Sequence, residues 1–280
     1  MISSLSRSLA ALLAIGLCCA RPQSAAACGP ETDCTVGDRT YRLSLPEGHD
    51  PAAPIGALFY AHGYKGSAAG AMRNAALRET AHARGLAFVA LKSAGDDWSL
   101  PHAPNVGPTP PEDEPAYVDA VIADLAGRIA LDRARLLATG FSAGGMMTWT
   151  LACERPETFR GFIPVAGTFW APVPDRCAGS VPSLVHIHGT TDRIVPLEGR
   201  RIADTRQGSV DAALSMFAAN HGFRRTGETE EAGLACTVSV AGDAADELLF
   251  CTHPGGHSLR TEHLAFALGR LLGPARSPKD

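Results

Sequence analysis

The sequence predicts an α/β domain with a mostly parallel, doubly wound sheet and helices on both faces. Three observations carry this. Short, unbroken apolar runs recur at Ile55–Ala61, Leu86–Leu91, 135–138, 162–165 and 184–187, as central parallel strands buried on both faces require. Segments with helical spacing lie between those runs, the alternation that builds a layered α/β fold. At residues 136–145 the chain reads Leu-Leu-Ala-Thr-Gly-Phe-Ser-Ala-Gly-Gly, an apolar run that passes through Gly-x-Ser-x-Gly directly into a helical segment.

Taken in order, the N-terminus is set apart from the rest. Arg7 precedes an almost wholly apolar segment at 9–20, and Ala25, Ala26 and Ala27 follow Arg21 and Pro22. A positive start, a short apolar core and small residues read as a secretory signal peptide over 1–27, cut near Ala27, leaving residues 28–280 as one domain. Residues 40–45 alternate apolar and polar as an outer strand does. A helix is expected over 68–84. The proline-rich stretch 93–111 follows a strand's carboxyl end, where ligand sites of α/β sheets gather. Pro115 opens a helix marked by Val118, Val121, Ile122, Leu125 and Ile129. Val210, Leu214 and Phe217 mark another, stopped near Gly222. Residues 236–240 and 247–252 read as a hairpin around a turn at 242–246, with a last helix over 258–272.

Composition excludes several classes. The chain has 280 residues, 45% of them hydrophobic, and a formal net charge of −4. It lacks the basic excess of a nucleic-acid binder, and no apolar run after the leader reaches the ~18 residues of a membrane span. Removing Cys18 and Cys19 with the leader leaves Cys28, Cys34, Cys153, Cys177, Cys236 and Cys251. An even number in an exported chain favours disulfides, and the spacing favours the local pairs Cys28–Cys34, Cys153–Cys177 and Cys236–Cys251. No Cys-x-x-Cys is present, so no metal site is expected. The same features point to a secreted protein, extracellular or periplasmic, and to a monomer.

The chemistry starts from Gly140, Ser142 and Gly144. This is the sequence form of a nucleophile elbow, a strained strand-to-helix turn that lifts one serine hydroxyl above a sheet. On such a sheet the partners follow in the order Ser, Asp or Glu, His. Asp192 lies just beyond the strand at 184–187, with Glu198 and Asp175 in reserve. His257 follows the last strand and a Gly-Gly turn, immediately before a helix. His253, closer to the strand and beside Pro254, suits packing or exposure, and His221 and His263 read as helix-associated. An oxyanion hole needs two backbone N–H donors. Ala143, after the serine, should supply one. The loop His62-Gly63-Tyr64 should supply the other, from Tyr64 with Gly63 second, and His62 itself reads as structural. Trp98, Phe169 and Trp170 are the aromatics expected to line the substrate cleft, with core packing their alternative role, and Trp149 suits the core.

Several runs together resemble the secreted polyhydroxybutyrate depolymerase and feruloyl esterase family: Thr139 to Met147, Leu151-Ala152-Cys153-Glu154-Arg155-Pro156, Pro164-Val165-Ala166-Gly167, and His186-Ile187-His188-Gly189 with Asp192 and Val195-Pro196. The resemblance runs from about Tyr41 to His257. It implies an α/β-hydrolase fold, an extracellular address, a triad of Ser142, Asp192 and His257, and cofactor-free hydrolysis of carboxylic esters. The region Asp96 to Pro101 matches only loosely. The expected function is a depolymerase-like serine carboxylesterase acting on hydroxyalkanoate oligomers or polymers. The alternatives are a feruloyl or acetyl xylan esterase on plant polysaccharide, and a non-catalytic envelope or carbohydrate-binding relative. Only about 50 residues separate Ser142 from Asp192. That span has no room for a large lid domain, so an open cleft is expected.

Overall fold

A computed structural model describes residues 28–104, 110, 113–179, 183–242 and 246–273. The expected signal peptide therefore lies outside the described residues, as does most of the turn expected at 242–246.

The chain begins with a hairpin, β1 (Cys34–Val36) and β2 (Arg39–Ser44). It then alternates between strand and helix through β3 (Ile55–Ala61), α1 (Ala68–Arg73), α2 (Ala75–His82), β4 (Leu86–Leu91), α3 (Asp113–Arg128), β5 (Leu131–Phe141), α4 (Ala143–Glu154) and β6 (Gly161–Val165). Next come β7 (Ser183–Gly189), a small hairpin β8 (Arg201–Ile202) and β9 (Thr205–Arg206), α5 (Val210–His221), β10 (Phe223–Glu231), β11 (Leu234–Ala241), β12 (Glu247–His253) and α6 (Thr261–Leu272). The main sheet has ten strands in the order β1-β2-β4-β3-β5-β6-β7-β12-β11-β10. The run from β4 to β12 is parallel throughout, and antiparallel strands complete both edges.

The all-apolar runs bury both of their faces, each against its own layer. In β3, Ala57 and Phe59 join a core with α3, α4 and α5, including Val118, Met147, Trp149 and Phe217. Leu58 and Tyr60 point the other way, into a core with α1, α2 and α6 that includes Met72, Leu77, Leu264 and Leu268. Two layers of helix on one sheet follow from that alternation.

Three local features depart from the sequence expectation. The helix expected over 68–84 is two helices, because Asn74 leaves helical geometry at ψ 91° and its side chain caps α2 by accepting from Leu77 N–H. An Asn that can bond its own backbone two or three residues on competes with a continuing helix. The polar edge strand β10 carries no alternating apolar face, as its exposed Arg224, Arg225 and Glu228 show. The hairpin β8–β9 fills part of the stretch between Pro196 and α5, where no element was expected.

The disulfides join the pairs expected from spacing: Cys28–Cys34, Cys153–Cys177 and Cys236–Cys251. The last links cross-strand neighbours of β11 and β12, and the second ties the end of α4 to the loop before β7.

Candidate active site

The candidate nucleophile stands on the turn between β5 and α4. Ser142 has φ 59° and ψ −119°, left-handed geometry that a side-chain-bearing residue adopts only when its surroundings impose it. Those surroundings are backbone. A Cβ at Gly140 would lie 2.1 Å from Gly144 O, and one at Gly144 would lie 1.9 Å from Ala61 O of β3. Neither site accepts a side chain without moving main chain. Ser142 N–H donates to Val165 O of β6 at 2.9 Å, which anchors the turn to the neighbouring strand.

Beyond β7, the Asp192 carboxylate is buried and fully engaged. Oδ1 accepts from Ile194 N–H at 2.8 Å and Val195 N–H at 2.9 Å, and Oδ2 lies 2.7 Å from His257 Nδ1. Burial alone would push this carboxyl up. The hydrogen bonds from His188, His257 and the two backbone N–H groups outweigh it and hold the group well below the usual carboxylate range. An ionised carboxylate can only accept. Neutral His257 therefore carries its proton on Nδ1 and leaves Nε2 as a lone pair. The His257 ring packs 4.7 Å, centroid to centroid, from Phe141, the residue before Ser142. Among the described residues no hydrogen bond joins Ser142 Oγ to the imidazole, and such bonds commonly tighten only with substrate in place.

A histidine pair supports the carboxylate from behind. His188 Nε2 is 2.7 Å from Val195 O, so the proton sits on Nε2, and Nδ1 then accepts from His186 Nε2–H at 3.0 Å. His188 Nε2 also lies 3.5 Å from Asp192 Oδ2. His253, the alternative base, is turned away: it is buried against His263, and its Nδ1 accepts from Gly255 N–H at 3.0 Å.

The loop after β3 passes directly beside the serine, since a Cβ at Gly63 would lie 3.4 Å from Ser142 Cβ. The loop is braced at several points. Lys65 N–H donates to Asp96 O at 2.7 Å, Gly66 N–H to Gly63 O at 2.9 Å, and His62 Nδ1 lies 2.8 Å from Gly63 O. His62 Nε2 accepts from Ser93 N–H at 3.2 Å, so its proton is on Nδ1. Burial lowers the His62 pKa to about 4, which keeps this ring neutral. These contacts suit a structural His62, and they leave Tyr64 and Ala143 facing the same cleft as Ser142.

That cleft holds about 280 Å³. Ser142, Ala143, Met146 and Trp170 line it together with Tyr64, Asp97 and Pro104, and with Ile194, Val195, Arg200, Ile202 and Gln207 from the segment after Asp192. Of the three aromatics expected there, Trp170 lines it. Phe169 instead lines an adjoining cavity of about 380 Å³ that shares Met146 and Trp170 with the cleft. Trp98 is a correction. It is 0% exposed, and its Nε1–H donates to His62 O at 2.7 Å, so it holds the loop bearing Tyr64 rather than touching a substrate. Asp97, beside it, does line the cleft, and burial, with repulsion from Glu114 and Asp96, pushes its carboxyl up to about 6 against the Trp98 N–H bond.

The residues missed from sequence are Asp97 and the wall from Ile194 to Gln207. That wall is held by backbone hydrogen bonds, which leave no apolar period to read. Among the described residues no cluster of His, Cys, Asp or Glu suits a metal ion, and no helix is long and apolar enough to cross a membrane.

A ten-stranded sheet with this elbow, an acid past one strand and a histidine past the last defines a class: the α/β-hydrolases, here a serine hydrolase acting on carboxylic esters. Comparison with known proteins agrees. Residues 91–171 match the prolyl oligopeptidase family (Peptidase_S9). NocK of Nocardia uniformis subsp. tsuyamanensis, named as an esterase, is 35% identical over 164 residues, and the match spans 58% of this chain but only 47% of NocK. Feruloyl esterase C of Emericella nidulans is 27% identical over 250 residues, 82% of each chain. Among solved structures, an acetyl xylan esterase from Aspergillus awamori superposes with a TM-score of 0.60 at 13% identity, covering 87% of this chain and 96% of that one, a likeness of fold. The chain thus has the α/β-hydrolase fold and is similar to feruloyl esterase C along most of its length.

Proposed function

We propose that this protein is a secreted serine carboxylesterase in which Ser142 is the nucleophile, His257 the general base and Asp192 its orienting acid. The observation that carries the reading is the 2.7 Å contact between His257 Nδ1 and Asp192 Oδ2. It fixes the tautomer, so that Nε2 is available to take a proton from Ser142 Oγ. As Oγ bonds to the ester carbonyl carbon, the carbonyl π pair moves onto oxygen, which the N–H groups of Ala143 and Tyr64 receive. The tetrahedral intermediate collapses, the alkoxide leaves with the proton from His257 Nε2, and an acyl-serine forms. Water, deprotonated by the same nitrogen, then attacks the acyl carbon; the acid departs and Ser142 regains its proton.

The substrate is an ester of a hydroxylated acid. Similarity to feruloyl esterase C along most of both chains supports a feruloyl-type ester. The motif runs that resemble those of polyhydroxybutyrate depolymerases support a second reading, a hydroxyalkanoate oligomer. The rim favours a large apolar partner in either case: Tyr64, 52% exposed, and Ile194, 51% exposed, both line the cleft. Export is supported by the three disulfides, which persist in oxidising compartments. On this reading the mature chain starts at Cys28 and works as one catalytic domain.

Turnover of methyl ferulate, 3-hydroxybutyrate oligomers and p-nitrophenyl acyl esters by wild type, Ser142→Ala and His257→Ala tests the proposal. Both variants should lose at least ~10³-fold in kcat, and only wild type should react with a fluorophosphonate at Ser142. Full activity in either variant overturns the site. Absence of labelling in folded wild type favours a non-catalytic relative, and cleavage of aminoacyl-anilides in preference to esters would favour a peptidase.

A further inference from the structure

One polar group in the cleft has no partner in the fold. Gln207 is 3% exposed, lines the same cleft as Ser142 and Ala143, and its Oε1 is buried with no hydrogen-bond partner among the described residues. Buried acceptors are almost always satisfied, and leaving one unmade is unfavourable to folding. The main chain at Gln207 is held on both sides. Its N–H donates to Arg200 O at 2.9 Å, Gly208 N–H donates to Phe169 O at 2.7 Å, and Ala171 N–H donates to Arg206 O at 2.7 Å. A bridge pairs Gln207 with Trp170. Gly199 lets the chain turn tightly enough to seat it: its φ is +68°, and a Cβ there would lie 2.1 Å from Gln207 O. The main chain at Gln207 is thus fixed by strand-like contacts on both sides, and its side chain lines the cleft with a buried oxygen that nothing in the fold satisfies.

The chemistry of the group narrows the ligand. A carboxamide oxygen is a neutral acceptor that does not titrate, so it pairs with a neutral donor at little desolvation penalty. The two charged cleft residues are of a different kind. Asp97 already accepts from Trp98 N–H at 2.8 Å, and Arg200 donates through Nε to Ile194 O at 2.7 Å. We infer that Gln207 is a specificity-determining residue whose Oε1 accepts a hydrogen bond from a hydroxyl on the ester bound in the cleft, with Trp170 packing beside it. A substrate lacking that hydroxyl leaves the buried oxygen unpaired once bound, which is how a site built around a hydroxyl rejects its deoxy analogue.

This inference rests on the esterase reading above and adds which substrates that site prefers. The hydroxyl could belong to a phenolic acid, an aliphatic hydroxy acid or the alcohol half of the ester, and three substrate pairs separate these sources. They are methyl 4-hydroxycinnamate against methyl cinnamate, p-nitrophenyl 3-hydroxybutyrate against p-nitrophenyl butyrate, and 4-hydroxybutyl butyrate against butyl butyrate. Wild type should prefer the hydroxylated member of at least one pair by about tenfold or more in kcat/KM. Gln207→Met, of similar length but without the acceptor, should bring that ratio to within about twofold, and Gln207→Glu, which keeps an acceptor, should retain the preference. A merely structural residue would lower both members of a pair together. Kinetics are normalised to fluorophosphonate-labelled sites, so a poorly folded variant does not mimic the effect. Wild type that turns over every ester without preference, or a preference that survives Gln207→Met, overturns the inference and leaves the esterase reading standing. Wild type without turnover or labelling overturns the esterase reading itself.

Discussion

Trp98→Phe tests whether a fully buried residue outside the cleft sets the rate of the reaction. The indole Nε1–H donates to His62 O at 2.7 Å, and the two rings lie 5.0 Å apart, centroid to centroid. Phenylalanine keeps a ring but removes the donor. Leaving a buried carbonyl short of a partner costs about 1–3 kcal/mol, and the void left by the smaller ring adds about 1 kcal/mol. The loss of folding stability is therefore about 2–4 kcal/mol, measured as a lower midpoint in urea with an unchanged slope. The kinetic effect arises because His62 is two residues from Tyr64, whose N–H is proposed to receive the oxyanion. Removing one such donor typically costs ~10²–10³ in kcat, and a displaced donor should cost less, about 10–10²-fold. KM should move less than about threefold, because Trp98 itself does not line the cleft. Steady-state rates on p-nitrophenyl acetate, divided by the concentration of fluorophosphonate-reactive sites, separate this from simple unfolding. Lower stability with unchanged kcat per reactive site would refute the argument that Trp98 positions the oxyanion loop.

Other expectations follow from the same geometry. Asp192→Asn should keep the fold but let the side-chain NH₂ face His257, favouring the wrong tautomer; kcat should fall by about 10⁴-fold, read as the loss of the acyl-enzyme burst. The His62 pKa is lowered by burial to about 4, so the folded chain binds fewer protons than the unfolded chain between pH 6.5 and pH 4. Stability from this ring is therefore full above pH 6.5 and declines as pH falls toward 4, by about 3 kcal/mol, and His62→Gln should flatten that part of the pH–stability curve. Opening the Cys153–Cys177 loop, whose cysteines are 24 residues apart, with a double Ser variant should lower stability by about 3 kcal/mol, measured by chemical denaturation of the otherwise intact protein.

The central strands were legible because burial on both faces forces every residue of β3 and β4 to be apolar, a pattern that survives in a bare sequence. The elbow was legible for a steric reason: contacts of about 2 Å from hypothetical Cβ atoms at Gly140 and Gly144 leave no alternative to glycine. Positions of Asp192 and His257 could be read because each follows its own strand. The misplaced features share a different physics. Asn74 breaks a helix through one side-chain bond, the edge strand β10 faces water along most of its length, and the wall from Ile194 to Gln207 is held by scattered hydrogen bonds to main-chain groups that leave no periodic pattern. Trp98 misled because an aromatic in a loop after a strand looks the same whether it faces a ligand or the back of the loop that receives one.

Asp192 joins two tasks that enzymes of this kind could keep separate. One oxygen orients His257, and the other gathers the N–H groups of Ile194 and Val195, the first residues of the cleft wall. The stem of that wall is therefore tied to the proposed triad, while its far end at Arg200 to Gln207 hangs on contacts to Phe169 and Ala171 instead. A lineage, or an engineer, can exchange residues in the distal part to meet a new ester without retuning the base. A change at the stem would alter acid and wall at once. Divergence in substrate choice should then concentrate after Gly199, with the segment before it behaving as fixed chassis.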